Sequence, residues 1–213
     1  MNTTRVAVIV DIVDSKSITD RVRAQAEILD AFSRIDSRAD HDAILRATVG
    51  DEFQAIYPTV TDALEATLLA RLLLPVGIDC RFGLGRGSVV DVGNGAIGPI
   101  QDGTGWWFAR EAIDEAHRRE NGRTPSLRGW FRTDSGSRDI EGLVNAYLLS
   151  RDHIVGAMNP RARRLAYGTI IGRSQADLAI AEGVTQSAVS QALHRSGAIN
   201  LIVAIDELRG MAL

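Results

Sequence analysis

Asp11 and Asp51 are the residues of this 213-residue chain whose type and setting point most directly to chemistry. Asp11 stands near the end of a β-branched run, Val6, Val8, Val10 and Ile12 with Ala7 and Ile9 between them, which predicts a central strand apolar on both faces. Asp51 stands at the tip of a predicted hairpin. Ala43 to Val49 and Glu52 to Tyr57 read as two short strands joined through Gly50-Asp51, a dipeptide that tolerates the positive φ of a tight turn. Two carboxylates meeting at one sheet edge are hard oxygen ligands suited to Mg²⁺ or Mn²⁺, which also take phosphate oxygens and water. Ile12, Val13, Asp14, Ser15 and Lys16 follow, and their backbone amides, with the chain's only lysine, could hold a triphosphate at the entry to a helix. Lys16 and Arg86 are the expected phosphate partners.

The elements that must position these groups are legible from periodicity. Val22, Ala26, Leu29 and Phe32 recur at helical spacing over Thr19 to Ile35, with Thr19 or Asp20 as N-cap. A second helix is predicted from Val60 to Leu74, stopped by Pro75, followed by a strand over Ile78 to Leu84, Gly85-Arg86-Gly87 and an extended run from Ser88 to Val92. Another helix fits Gly105 to Arg119; Trp106, Trp107 and Phe108 at its start read as core packing, with base stacking as the alternative. The stretches 93–105 and 122–142 are rich in Gly, Ser, Thr and Asp and read as loops. The order strand, helix, strand, strand, helix, strand predicts a ferredoxin-like α+β unit with the first strand beside the hairpin.

Residues 140–154 read as a connecting helix, and residues 156–213 carry a net +2 against −5 for 1–155. Within this tail, Pro160 to Ile171 predicts a helix with Arg161, Arg163 and Arg164 on its exposed side. From Ser174 onward, Ala179, Gly183 and Val189 supply the small residue, turn glycine and inner apolar position of a helix-turn-helix, with Leu178, Val184, Ala192 and Leu193 completing its core. Thr185, Gln186, Ser187, Ser190 and Gln191 would face the major groove of double-stranded DNA, and Arg195 a backbone phosphate. Because +2 neutralises few phosphates, a homodimer is expected, with the apolar run Ile199 to Met211 as its seam. The expected division is therefore residues 1–155 and 156–213, an α+β domain followed by an all-α helix-turn-helix domain.

Composition bounds the rest. At 45% apolar and 24% charged, with a net charge of −3, the chain reads as an ordinary globular protein whose surface does not coat nucleic acid everywhere. No apolar stretch approaches the ~20 residues that span a bilayer. The start of the chain lacks the regions of a secretory signal, and the single cysteine, Cys80, has no internal disulfide partner, so a cytoplasmic location is expected.

Asp-Ile-x-x-Ser at 11–15, Val-Gly-Asp-Glu-Phe at 49–53 and Arg-Phe-Gly-Leu-Gly-Arg-Gly-Ser-Val at 81–89 resemble three landmarks of class III nucleotidyl cyclases and related palm-fold proteins. The resemblance implies that Asp11 and Asp51 are metal carboxylates and that Asp102, near Thr104-Gly105, helps choose a base. Over nearly its whole length the chain resembles the SatD family, through Gly-Asp-Glu-Phe-Gln at 50–54, the segment 102–105, Ala109-Arg110-Glu111-Ala112 and the helix-turn-helix. It departs from the cyclases at Ala47, where they carry the lysine that reads adenine, and at Ala109 and Ile113, where they carry the transition-state Asn and Arg; a register shift would bring Arg110 into play. Removing such donors costs ~10²–10³ in rate each. The expectation is a DNA-binding transcriptional regulator whose cyclase-like domain binds a metal and a nucleotide-type ligand. The alternative is a metal-dependent nucleotidyl cyclase or nucleotide phosphohydrolase with a regulatory helical tail.

Overall fold

The computed structural model describes residues 3–36, 43–47, 51–95 and 98–210; Gly50, expected in the hairpin turn, lies outside them. The strands are β1 (Thr3–Ile12), β2 (Ala43–Ala47), β3 (Glu52–Tyr57), β4 (Cys80–Gly95), β5 (Gly98–Asp102) and β6 (Gly129–Arg132). The helices are α1 (Arg21–Asp36), α2 (Val60–Leu73), α3 (Thr104–Glu120), α4 (Arg138–Ala157), α5 (Pro160–Ile170), α6 (Gln175–Glu182), α7 (Gln186–Arg195) and α8 (Ala198–Arg209). Strand order β2-β3-β1-β4 is antiparallel throughout and gives the first four strands the expected ferredoxin-like arrangement. The predicted strand after Pro75 and the extended run after Gly87 are one strand, β4. Its first half pairs with β6 in parallel and its second half with β5 antiparallel, so the sheet is mixed. Both β5 and β6 fall in stretches that composition assigns to loops.

Register decides what each face carries. Residues directly opposite one another point to the same side, so Val6, Val8 and Val10 share a face with Phe53, Ala55, Tyr57, Phe82, Leu84 and Phe131. These residues belong to one buried cluster with Ile28 and Phe32 of α1 and Leu64 and Leu68 of α2. The opposite face carries Ala7, Ile9 and Asp11 together with Glu52, Gln54, Arg81, Gly83, Gly85 and Gly87. There α3 lies almost directly on the sheet: a Cβ at Gly83 would sit 2.2 Å from the Ala109 carbonyl oxygen, and one at Gly85 2.2 Å from the Ala109 nitrogen. Only glycine admits a helix backbone this close.

The tail does not stand apart. The cluster that contains Val8 and Phe82 continues without a break through Leu148 and Val155 of α4, Leu165 of α5, Leu178, Val189 and Leu193 to Leu201 and Ile205 of α8. The expected boundary between 155 and 156 is crossed by this shared core, and no separate all-α domain is set off by it. Of the expected dimer seam, Leu201 and Ile205 are buried within the chain and Ile199, Ile202 and Leu208 half-buried, and Arg209 of α8 forks onto Glu65 of α2 at 2.9 and 2.6 Å.

A second tie fixes α4 against α2 and β6. Asp152, fully buried, accepts from Arg71 Nη1 at 2.9 Å and Arg151 Nε at 2.9 Å, and from the backbone amides of Arg128 and Gly129 at 2.6 and 2.7 Å. Its carboxyl is buried, which alone would raise its pKa, but the two guanidiniums and these hydrogen bonds hold it below the ordinary carboxylate value.

Candidate functional site

At the carboxyl end of β1, Asp11 pairs across the sheet with Glu52 on one side and Arg81 on the other, on the α3 face. Asp51 immediately precedes Glu52, and its charge is close enough to act on Asp11. The fold brings Asp51 to the end of β3 next to Glu52, the residue that Asp11 faces across the sheet, while Asp51 itself lines a pocket with Ile12 and Arg21. Arg81 Nη1 donates to Asp11 Oδ2 at 3.1 Å, and the same guanidinium bonds Glu120 near the end of α3. Partial burial raises the Asp11 pKa most; Arg81 opposes that, and Asp51 adds to it. A cation placed here would relieve that repulsion. Among the described residues no group of three or more His, Cys, Asp or Glu side chains is arranged to hold a metal ion. Mg²⁺ and Mn²⁺ are ions that can take as few as one or two protein carboxylates and complete their shell with phosphate and water.

The segment after Asp11 is a fixed turn. Val13 N donates to the Asp79 carbonyl at 2.9 Å, Asp14 adopts a left-handed conformation (φ 50°), and Ser17 N and Oγ both donate to the Asp14 carbonyl at 2.8 Å, closing a short 3-10 turn over Ser15–Ser17. Asp is among the few non-glycine residues that occupy this region readily. Asp20 then accepts from Arg23 N at 2.9 Å, which settles the choice of N-cap for α1. Ile12, Ser15, Arg21, Gln25 and Asp51 line one small pocket of about 90 Å³. Arg21, which sequence reading passed over, is thus the guanidinium nearest in the fold to a phosphate held there; its place in the first turn of a helix behind a Ser-rich turn was the available signal. Ile12 is buried, Ser15 half-buried, and Asp14 and Lys16 exposed.

Two expected site residues lie elsewhere. Arg86 is opposite Val6, five positions along β1 from Asp11 and on the α1–α2 face, which puts it about 17 Å away along the strand and on the wrong side of the sheet. Asp102 pairs with Val90, beyond the part of β4 that pairs with β1, and its carboxylate accepts from the Gly103 amide at 2.7 Å. Arg86 therefore does not share a face of the sheet with Asp11. Arg110 is nearer: it leaves α3 to bond Glu52 at 2.7 Å, and with Ile9, Gln54, Gln101, Trp106 and Trp107 it lines an open cleft of about 450 Å³. Trp107 is 61% exposed, so it is not the core residue expected at that helix start.

In the tail, α6 ends at Gly183 in the left-handed region (φ 63°), and Thr185 caps α7 by accepting from Ala188 N at 3.2 Å. Leu178, Ala179, Val189 and Leu193 are buried as expected. Thr185, Gln186, Ser187, Gln191 and Arg195 are exposed and Ser190 is half-buried; Arg195 Nη2 donates to Gln191 Oε1 at 3.2 Å. The basic side expected on α5 is different: Arg164 forks onto Glu182 at 2.7 Å twice, Arg161 lies 3.6 Å from the same carboxylate, and Arg163 is half-buried. Among the described residues no helix is long and apolar enough to cross a membrane.

The SatD family model matches residues 5–203, from β1 to within α8. The chain belongs to the SatD family. No curated protein matches this SatD chain in sequence. Solved structures with a similar chain path include the guanylyl cyclase domain of a RhoGC fusion protein from the aquatic fungus Blastocladiella emersonii (14% identity, 53% of this chain and 74% of that one, TM-score 0.41). A bacterial light-regulated adenylyl cyclase (13%, 67% and 81%, TM-score 0.45) and the diguanylate cyclase SiaD of Pseudomonas aeruginosa (16%, 62% and 50%, TM-score 0.40) are others. At TM-scores below 0.5 these likenesses carry no functional weight.

Proposed function

We propose that this SatD chain binds a divalent cation and the phosphates of a nucleotide at the Asp11 end of the sheet, with metal-dependent nucleotidyl or phosphohydrolase chemistry as the activity of that site. The observation that supports this reading is that Asp11, at the strand end leading into the Ser15–Ser17 turn, faces Glu52 across the sheet, with Asp51 the next residue along. A bound Mg²⁺ or Mn²⁺ would neutralise charge developing on phosphate oxygens. Arg21 and Lys16 would contact phosphate from the turn, and Arg110 is the α3 cation best placed to reach across.

The test is calorimetric titration of the full chain with each nucleoside triphosphate in Mn²⁺, Mg²⁺ or EDTA, followed by product analysis. Binding that needs the metal and weakens ~10–100-fold in Asp11→Asn and Asp51→Asn is expected, the size of one lost contact to a charged group. Metal-independent or absent binding overturns the reading.

A second reading, DNA recognition by α7, is favoured by one observation: its first turn and outer face present Gln186, Ser187 and Gln191 to solvent behind the Gly183 turn. A gel shift on the protein's own promoter region, lost in Gln186→Ala with Gln191→Ala, would support it. No shift at low salt would remove it.

A further inference from the structure

Beneath the 3-10 turn, on the side away from Asp51, a cleft of about 730 Å³ opens between the start of α5 and the loop that joins α2 to β4. This volume falls among those of small-molecule sites, about 300–1,000 Å³. Its walls are mostly apolar: Val13, Ile18, Leu73, Val76, Ile78 and Met158. Its polar groups are few, and one is unusual. Arg163 lines the cleft half-buried, and among the described residues its guanidinium has no ion pair. A half-buried guanidinium without a counter-charge gains free energy when an anion arrives.

The charges around Arg163 say which acceptor. Asp79 lies in the same wall, but it already serves Arg128 Nε at 2.7 Å and Arg71 at 3.5 Å, and it forms no ion pair with Arg163. Arg164, also in the wall, is taken by Glu182. Asp14, at the rim, is exposed. Burial and the nearby Arg71 guanidinium both press against the Arg163 charge, and Asp79 only partly compensates. An anion set against the Arg163 guanidinium would supply the missing counter-charge and soften the repulsion between the two guanidiniums.

We propose that this cleft is a binding site for a small organic anion, a carboxylate or phosphate on an apolar body, with Arg163 holding the anionic group and the Val13–Met158 walls the apolar part. The site meets the Asp51 pocket at the turn: Ile18 lines both, Val13, Asp14 and Ser17 form the roof of the cleft, and Ser15 lines the pocket that holds Asp51. It also touches α5, the helix that carries α6 through the Arg164–Glu182 fork. An occupant would therefore brace the turn against the tail.

The experiment is titration calorimetry and thermal melting of the full chain with octanoate, with 1-octanol as the uncharged match and acetate as the anion without a body. Octanoate is expected to bind saturably at one per chain and raise the melting temperature, while octanol and acetate at equal concentration do neither. Arg163→Gln should weaken octanoate binding at least tenfold. Val76→Glu, at a position 81% exposed and so harmless to folding, should weaken it through charge alone and serves if the arginine variant fails to fold. Equal binding of octanol, absence of saturable octanoate binding, or an affinity unchanged in both variants overturns the proposal. None of these outcomes bears on metal-dependent nucleotide binding, which is read separately.

Discussion

One face of the sheet presents Val8, Phe53, Phe82 and Phe131 to α1, α2 and α4 and merges with the core of the tail, whereas the other offers Ala7, Ile9 and three glycines to α3 alone. Large side chains hold their helices at a distance and bury area. Small ones draw a helix backbone onto the strands, and the polar residues at the ends of that short contact, Asp11, Arg81, Glu52, Arg110 and Glu120, are left to pair with one another across it. The lesson is that apolar burial is concentrated on the first face and paired charges on the second.

The comparison predicts its own failures. The largest effect should come from Asp152→Ala behind the first face, which strands Arg71 and Arg151 without their common carboxylate. A loss of about 3–5 kcal/mol in urea unfolding is expected. Next is Gly85→Val on the second face, where the new Cβ must push Ala109 and Gly105 of α3 aside. We expect a loss of about 1–3 kcal/mol or more, while Gly142→Ala, in α4 with nothing within 4 Å, should gain ~0.5–1 kcal/mol. If Gly85→Val were harmless, the close seating of α3 would be wrong. Thr185→Ala removes the α7 cap and should cost ~1 kcal/mol without touching nucleotide binding.

The smallest effect sharpens the account of α3. Glu115 is paired with Arg118 and Arg119, whose hydrogen bonds lower its pKa to about 2. A depressed acid contributes stability above its unfolded value near 4.5 that disappears as pH falls toward 2. Unfolding midpoints measured between pH 5 and 2 should therefore fall less steeply in Glu115→Gln than in the natural sequence.

What could be read from the sequence followed from periodicity and turn chemistry. The α1, α2 and α3 spans, the hairpin strands and the α6–α7 turn at Gly183 each carry a local signal, and Asp11 and Asp51 inherit their places from that layout. β6 has only four residues, Gly129-Trp130-Phe131-Arg132, too few for alternation to show, and β5 begins Gly98-Pro99, which mimics a loop. Arg86 was misplaced because a strand's two faces differ by one residue. Once register pairs Asp11 with Arg81, odd-numbered positions of that part of β4 face α3 and Arg86 cannot. The half-buried Arg163 depends on α5 folding back over the α2–β4 loop, a contact between residues far apart in the chain that no local pattern announces.

The uninterrupted run of buried side chains from β1 to α8 has a practical meaning for anyone dissecting the molecule. Severing the chain after residue 155 would bare Leu165, Leu178 and Leu201 on one fragment and Leu68, Leu148 and Val155 on the other, so each piece should precipitate or swell rather than behave as a free-standing module. The tail and the sheet share one core, so the tail should lose its fold when cut away from it.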